Sequence, residues 1–222
     1  MIPAAGRGLR LGGVRKALIP IRDRTMVFHA CLGLARHPDI QGLVVAASPE
    51  DLKAVEDQMA ALPGRKRIKV VPGGATRQES VASCLAALPE EEGVVLVHDG
   101  ARPVLRRILV DRLVQAGFEG ASGIIPVIPI HDTVRYVEAD RAVRSVDRRG
   151  LVAVQTPQKF PLELLRRLWK ETGSPDVTDD AQLLENAGLP LRTVPGDPAN
   201  IKVTTEEDLD LARALLAANL EA

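Results

Sequence analysis

What most constrains this chain is a rhythm: short runs of apolar, β-branched residues recur between longer stretches whose apolar residues fall at helical spacing. Residues 43–47, 68–71, 94–98 and 123–127 are such runs. They are apolar at successive positions instead of alternating, the pattern of strands covered on both faces. Helical patterns occupy the intervals at about residues 25–36, 49–61, 77–88 and 105–118. Ser48-Pro49-Glu50-Asp51 opens the second with an N-cap residue, Pro at the first helical position and acids in the first turn. Strand and helix in strict alternation predict an α/β fold, a mostly parallel twisted sheet flanked by helices.

After Pro129 the rhythm changes. Residues 133–137 and 142–146 are short strand-like runs on either side of Glu138-Ala139-Asp140-Arg141, which predicts a hairpin. An arm of this kind, at about residues 130–150, buries little of itself and is expected to pack on another subunit. The α/β pattern then resumes. Helices are predicted near residues 161–171 and 178–186, strands at 191–194 and 201–203, and a last helix behind the capping box Thr204-x-x-Glu207. The reading is one domain over residues 1–222 with a protruding β-arm. Its first strand is a stub, because Met1-Ile2-Pro3 runs almost at once into a glycine loop.

Composition narrows the function. Lys plus Arg and Asp plus Glu number 29 each, so the basic excess required by nucleic-acid or membrane-surface binding is absent. Aromatics are 2% of the chain, leaving Ala, Leu, Val and Ile to build the core. Cys31 and Cys84 lie in apolar helical stretches without CxxC spacing and read as buried free thiols. No apolar run is long enough to span a membrane and no signal peptide is recognisable, so the expected location is cytoplasmic.

Against this balance, residues 7–24 carry six basic residues and one acid. Four of the six, Arg7, Arg10, Arg15 and Lys16, belong to the loop Ala4-Ala5-Gly6-Arg7-Gly8-Leu9-Arg10-Leu11-Gly12-Gly13-Val14-Arg15-Lys16, which follows the first strand at the sheet edge where open α/β folds bind ligands. Its glycines let backbone N–H groups approach an anion closely. The third glycine comes one residue late for a dinucleotide fingerprint, and Gly13 is followed by Val14 instead of the Lys of a Walker loop. A long cationic loop able to wrap a triphosphate remains. Asp99 ends the buried run Val94-Val95-Leu96-Val97-His98 at the same edge; as a hard oxygen ligand it suits Mg²⁺, and as a turn residue it suits a cap. His98 reads as structural. Pro72-Gly73-Gly74-Ala75-Thr76-Arg77-Gln78-Glu79-Ser80 is a strand-to-helix loop able to hold a base or ribose. Asp132-Thr133, Asp147-Arg148 and Asn200-Ile201-Lys202-Val203-Thr204 put further hydroxyls and cations beside strand ends.

In order, Pro3-Ala4-Ala5-Gly6-x-Gly8, Gly73-Gly74-x-x-Arg77-x-x-Ser80, Val97-His98-Asp99-x-Ala101-Arg102-Pro103, Asp132-Thr133, Val146-Asp147-Arg148, Gln155-Thr156-Pro157-Gln158, Thr178-Asp179-Asp180 and Asn200-Ile201-Lys202-Val203-Thr204 resemble the 2-C-methyl-D-erythritol 4-phosphate cytidylyltransferases of non-mevalonate isoprenoid synthesis. The resemblance implies a Rossmann-like nucleotidyltransferase fold and a homodimer interlocked through the arm. It implies that CTP lies on Ala4, Ala5, Gly6, Gly8, Gly74, Arg77 and Ser80, with Asp99 holding Mg²⁺ on the triphosphate. Arg10 and Lys16 match transition-state stabilisers. Asp132, Thr133, Arg148, Thr156 and Lys202 match the acceptor pocket, Thr133 and Arg148 from the partner subunit; Arg10, Lys16, Arg148 and Lys202 form the catalytic set. Arg15 stands where the family usually has Pro, and Gly100 where it usually has Ala. Two rivals accompany this reading: a D-ribitol 5-phosphate cytidylyltransferase, and a catalytically inactive nucleotide-binding protein on the same fold.

Overall fold

The computed structural model of the chain describes residues 1–6, 15–64, 66–89, 92–173 and 177–218. Its strands are β1 (Ile2–Pro3), β2 (Pro20–Ile21), β3 (Arg24–Thr25), β4 (Gly42–Ala47), β5 (Arg67–Pro72), β6 (Val94–Val97), β7 (Gly123–Pro129), β8 (Val134–Glu138), β9 (Arg141–Val146), β10 (Val152–Val154), β11 (Gln158–Pro161) and β12 (Leu191–Pro195). Its α-helices are α1 (Met26–Ala35), α2 (Leu52–Ala60), α3 (Arg77–Ala87), α4 (Arg107–Gln115), α5 (Leu162–Thr172), α6 (Ala181–Asn186) and α7 (Glu206–Ala217).

β4 pairs in parallel with β1 on one side and β5 on the other. Three backbone bonds bring β6 alongside β1: the Met1 ammonium to the Leu96 carbonyl at 2.7 Å, His98 N–H to the Met1 carbonyl at 2.9 Å, and Gly100 N–H to the Pro3 carbonyl at 3.4 Å. β11 runs antiparallel to both β6 and β7, β10 pairs antiparallel with β7, and β12 returns parallel to β7. The strands therefore follow one another as β5, β4, β1, β6, β11, β7 and β12, parallel in the half that carries the glycine loop.

The central strands β4 and β6 are apolar throughout because their side chains feed two cores. Leu43, Val45 and Ala47 of β4 pack in one cluster with α1, α2 and α4, while Val44 and Ala46 pack in the other with α3, α5 and α6. β6 divides in the same way, with Leu96 on the first side and Val95 and Val97 on the second. Helices follow the rule of one buried stripe. In α5, Leu162, Leu165, Leu168 and Trp169 are buried, whereas Glu163, Arg167 and Lys170 face out. Each fully buried aliphatic of this kind contributes about 1.5–3 kcal/mol. Cys31 and Cys84 are both free and buried.

Several boundaries differ from the sequence reading. Pro49–Asp51 form a 3₁₀ turn before α2. α6 starts at Ala181 and not at 178. The last capping box lies one residue later, with Thr205 as N-cap and Asp208 at N3. Residues 201–203 are not a strand; Val203 N–H bonds the Ala101 carbonyl and Ile201 N–H the Ala199 carbonyl within its own turn. β11 has no apolar signature because its polar residues are satisfied internally. Gln158 is wholly buried and donates to Asp179 Oδ2 at 2.7 Å, and Lys159 Nζ donates to the Ala116 carbonyl at 2.7 Å.

β8 and β9 pair only with each other, in register from Val134 opposite Val146 to Glu138 opposite Arg141, with a bulge at Tyr136/Val137. This hairpin leaves Tyr136, Val137 and Val143 about half exposed. No helix among the described residues is long and apolar enough to cross a membrane.

Candidate active site

A cleft of about 180 Å³ opens at the carboxyl ends of β1 and β6, lined by Pro3 to Gly6, Lys16, Ala17, Arg77, Ser80, Asp99 to Ala101, and Lys202. Larger cavities of about 790 and 760 Å³ lie beside α1 and along the β4–β6 side of the sheet. The small cleft is set apart by a buried carboxylate, Asp99, paired with cations from distant segments. Lys16, Asp99 and Lys202, far apart in the chain, meet there.

Local structure explains how each arrives. Ala4 N–H bonds the Ala46 carbonyl at 2.7 Å, which points the chain out of the sheet as the glycine loop begins. Lys16 starts a single 3₁₀ turn, Lys16–Leu18, and the preceding Arg15 ties that turn to α2 through a 2.7 Å bond to buried Asp51. On the facing side, α3 begins with a reciprocal capping box, Thr76 accepting from Glu79 N–H and Glu79 accepting from Thr76 N–H. This fixes Arg77 and Ser80 in the first turn. Gly73 lets that turn approach β1, since a Cβ there would lie 2.5 Å from the Ala5 Cβ and 2.9 Å from Ser80 Oγ. Ser80 Oγ donates to the Thr76 carbonyl at 2.9 Å and accepts from Gly74 N–H at 3.3 Å.

Asp99 is the electrostatic centre. Its Oδ1 accepts from Arg77 Nε at 3.1 Å; its Oδ2 lies 2.8 Å from Lys202 Nζ and 3.8 Å from Arg102 Nε. Burial by itself would raise its pKa, but Arg77, Lys202 and Arg102 outweigh that and hold the carboxyl below the usual carboxylate range. Arg77 in turn reaches Asp180 Oδ2 at 2.7 Å, and Asp180 has no exposed surface. Burial opposes the charge on Arg77, yet Asp180 and Asp99 together overcome it and make the guanidinium harder to deprotonate. Burial pushes the Asp180 carboxyl up, against the pull of Arg77.

Behind Asp99 runs a polar chain whose direction the chemistry decides. His98 Nε2 faces the Arg102 carbonyl at 3.2 Å, and a carbonyl only accepts, so Nε2 carries the proton. Nδ1 is then an acceptor for the Thr156 hydroxyl at 3.1 Å, and Thr156 Oγ1 accepts from Asp99 N–H at 3.0 Å. Burial lowers the His98 pKa to about 4, so the ring is neutral near pH 7. The segment carrying Lys202 is clamped from three sides. Arg106 pairs with Asp197, Gln155 exchanges bonds with the Asp197 backbone, and Asn200 donates to the Thr156 carbonyl at 2.7 Å while its own carbonyl accepts from Arg102 at 2.8 Å.

Of the residues singled out from sequence, Ala4, Ala5, Gly6, Lys16, Arg77, Ser80, Asp99 and Lys202 line the cleft. Gly74 lies just behind, bonded to Ser80. Gly8 and Arg10 lie outside the described residues. Thr156 needs correction as a substrate contact: it is 4% exposed and its hydroxyl is committed to Asp99 and His98, so it supports Asp99 from below. Asp132, Thr133 and Arg148 are exposed near the base of the arm and do not line the cleft of their own chain. Asp180 was missed as a site residue, since nothing in Thr178-Asp179-Asp180 tells which acid is buried. Arg102 and Gln155 were missed too, because their hydrogen-bond partners lie 42 to 98 residues away.

The sequence matches the 2-C-methyl-D-erythritol 4-phosphate cytidylyltransferase family over residues 1–218. It is 43% identical over 223 residues to the 2-C-methyl-D-erythritol 4-phosphate cytidylyltransferase of Saccharopolyspora erythraea, covering 98% of each chain. It is 42% identical over 216 residues to the bifunctional enzyme IspD/IspF of Solidesulfovibrio magneticus, covering 93% of this chain but 54% of that longer one. The fold superposes on the crystal structure of 2-C-methyl-D-erythritol 4-phosphate cytidylyltransferase from Thermus thermophilus with a TM-score of 0.78 and 34% identity, over 97% of this chain and 96% of that one. A buried carboxylate ringed by cations at the end of a parallel strand is thus set in a sequence and a fold that agree from end to end: the chain belongs to the 2-C-methyl-D-erythritol 4-phosphate cytidylyltransferase family of enzymes.

Proposed function

We propose that this chain transfers the cytidylyl group of CTP to 2-C-methyl-D-erythritol 4-phosphate, giving 4-diphosphocytidyl-2-C-methyl-D-erythritol and pyrophosphate for isoprenoid precursor synthesis. The observation that carries the reading is that Lys16, Arg77, Asp99 and Lys202 line one cleft, with Arg77 and Lys202 paired to Asp99. The acceptor phosphate is already anionic at neutral pH, so no general base is needed. Its oxygen attacks the α-phosphorus of CTP in line, the bond from that phosphorus to the bridging oxygen breaks, and pyrophosphate leaves with the electron pair. Catalysis then consists of aligning two anions that repel each other and neutralising the charge that develops between them. Lys16, with Arg10 of the glycine loop, serves the triphosphate; Lys202 serves the acceptor phosphate. Gly74 and Ser80 border the nucleoside, and His98, neutral and buried, takes no part in proton transfer.

The site fits a divalent cation held jointly with the substrate. No cluster of three or more His, Cys, Asp or Glu able to bind a metal occurs among the described residues. Asp99 is a lone, ionised carboxylate at the cleft wall, and Mg²⁺ in nucleotide sites is commonly held by one or two carboxylates plus phosphate oxygens. Asp99 would hold the ion, which when bound supplies charge neutralisation on the triphosphate.

The acceptor pocket is completed by a second copy. Arg148, Thr133 and Asp132 stand beside an arm whose Tyr136, Val137 and Val143 are about half exposed, and Leu151, Val152 and Val154, next in the chain, are exposed as well. A homodimer in which each arm reaches the partner's cleft covers this surface and delivers Arg148 and Thr133. The reaction is assigned to the cytoplasm, where CTP is made and used.

One incubation series tests the reading: each of the four nucleoside triphosphates with 2-C-methyl-D-erythritol 4-phosphate, and CTP with D-ribitol 5-phosphate, following pyrophosphate. Release with CTP and methylerythritol phosphate is expected. Preference for ribitol phosphate would reassign the acceptor, and no release with any pair would leave a nucleotide-binding protein.

A further inference from the structure

The two oxygens of Asp99 are held in different ways. Oδ1 faces Arg77, whose guanidinium is braced from behind by the wholly buried Asp180, and the Asp99 backbone N–H is fixed by Thr156. The carboxylate therefore has one set orientation. Oδ2 faces Lys202 at 2.8 Å and, farther off at 3.8 Å, Arg102 Nε, whose guanidinium is anchored on the Asn200 carbonyl and does not leave. The cations on the two sides differ in freedom: the Arg77 side chain is 21% exposed and bonded at both ends, whereas that of Lys202 is 44% exposed on a flexible four-carbon stem.

We propose that Lys202 is an exchangeable cation: it competes with the divalent ion for Asp99 Oδ2, and the acceptor phosphate relieves the competition by drawing the ammonium away. This rests on the roles assigned to Asp99 and Lys202 in the proposed reaction. A lysine ammonium and a divalent ion on one oxygen would stand within a few ångströms of each other, where their repulsion is poorly screened in a partly buried site. One must yield, and Lys202 is the one with somewhere to go. An incoming phosphomonoester offers it a dianionic partner, so each of the two ligands favours the other. Ion and acceptor bind cooperatively, and the coupling must be the same in both directions. Arg77 stays with Asp99 throughout, which keeps the carboxylate oriented while its outer oxygen changes partners.

The test is the affinity of the whole protein for Mn²⁺, read by electron paramagnetic resonance in the presence of a CTP analogue whose α,β-bridge is methylene and cannot be cleaved. In the wild type, saturating 2-C-methyl-D-erythritol 4-phosphate should tighten Mn²⁺ binding by about 5- to 50-fold, within the usual range of coupling between sites. Lys202→Met should bind Mn²⁺ more tightly than the wild type without acceptor, and acceptor should then change that affinity less than twofold. Lys202→Gln should behave alike, which guards against a fault of folding in one variant. Asp99→Asn should lose the Mn²⁺ affinity that the protein adds to that of the CTP analogue alone. Equal acceptor effects in wild type and both Lys202 variants would overturn the proposal, because simple attraction between the acceptor anion and the ion would survive removal of Lys202. Undiminished Mn²⁺ binding by Asp99→Asn would overturn it as well. Pyrophosphate release by the wild type, measured on the same preparation, separates these failures from failure of the proposed reaction.

Discussion

At the scale of single residues, the site is an answer to the problem of keeping a carboxylate charged inside a protein. Asp99 is 7% exposed, yet its pKa falls below the ordinary range because three cations surround it. Such a group contributes stability at any pH above the unfolded carboxylate value near 4, and that contribution is lost as pH falls toward its depressed folded value. His98 acts at higher pH. Its folded pKa of about 4 lies below the ordinary 6.5, so the folded state takes up its proton later than the unfolded chain. Stability from this residue is complete above pH 6.5 and declines by about 3 kcal/mol as pH falls to 4. Urea midpoints measured across that window should show this slope, and His98→Asn should remove most of it; an unchanged slope would mean that His98 is charged in the folded protein. For chemistry, Lys16→Ala should lower kcat by roughly a hundred- to a thousandfold, the scale of losing one preorganised oxyanion donor. Steady-state kinetics with near-normal kcat would remove Lys16 from the mechanism.

At the scale of elements, the cleft depends on how α3 starts and how the segment before α7 is tied down. The Thr76–Glu79 box satisfies N–H groups that would otherwise be unpaired and sets the first turn that carries Arg77 and Ser80. Thr76→Ala should cost about 1 kcal/mol in chemical denaturation, and Thr76→Ser much less. Since Arg77 and Ser80 line the cleft, the alanine variant should also raise KM for CTP; a loss of stability with KM unchanged would show that the cap holds the helix without positioning the site. The Lys202 segment illustrates the opposite means of support. It lacks strand pairing, and Asp197, Asn200, Gln155, Arg102 and Arg106 hold it through side-chain bonds drawn from separate parts of the chain.

At the scale of the whole molecule, the proposed dimer accounts for two observations: the arm is half exposed, and Arg148 does not line the cleft of its own chain. Arg148→Ala should impair use of the acceptor while leaving CTP binding intact, as separate titrations with each ligand would show. A sharper consequence concerns mixtures. Neither Lys16→Ala nor Arg148→Ala alone should be appreciably active. If Arg148 acts across the dimer, co-refolding equal amounts makes half of the dimers mixed, each with one intact site, so activity should recover to about a quarter of the wild type. No recovery in a mixture shown to exchange subunits would place Arg148 in its own chain's site.

The alternation of strands and helices as far as β7 and the two-sided burial of the central strands were determined by local sequence, because periodicity and composition act within a few residues. The same holds for Asp99 at a strand end and for the hairpin after Pro129. What only the tertiary structure decided is which charges meet. Whether Asp179 or Asp180 is buried, whether Thr156 faces substrate or braces Asp99, and whether Lys202 rests on Asp99 all depend on contacts across dozens of residues. Polar β11 was hidden for a related reason, since its Gln158 and Lys159 find partners only when α4 and the segment before α6 are in place. Electrostatic pairing is decided by distance in space, and the sequence specifies that distance only through the completed fold.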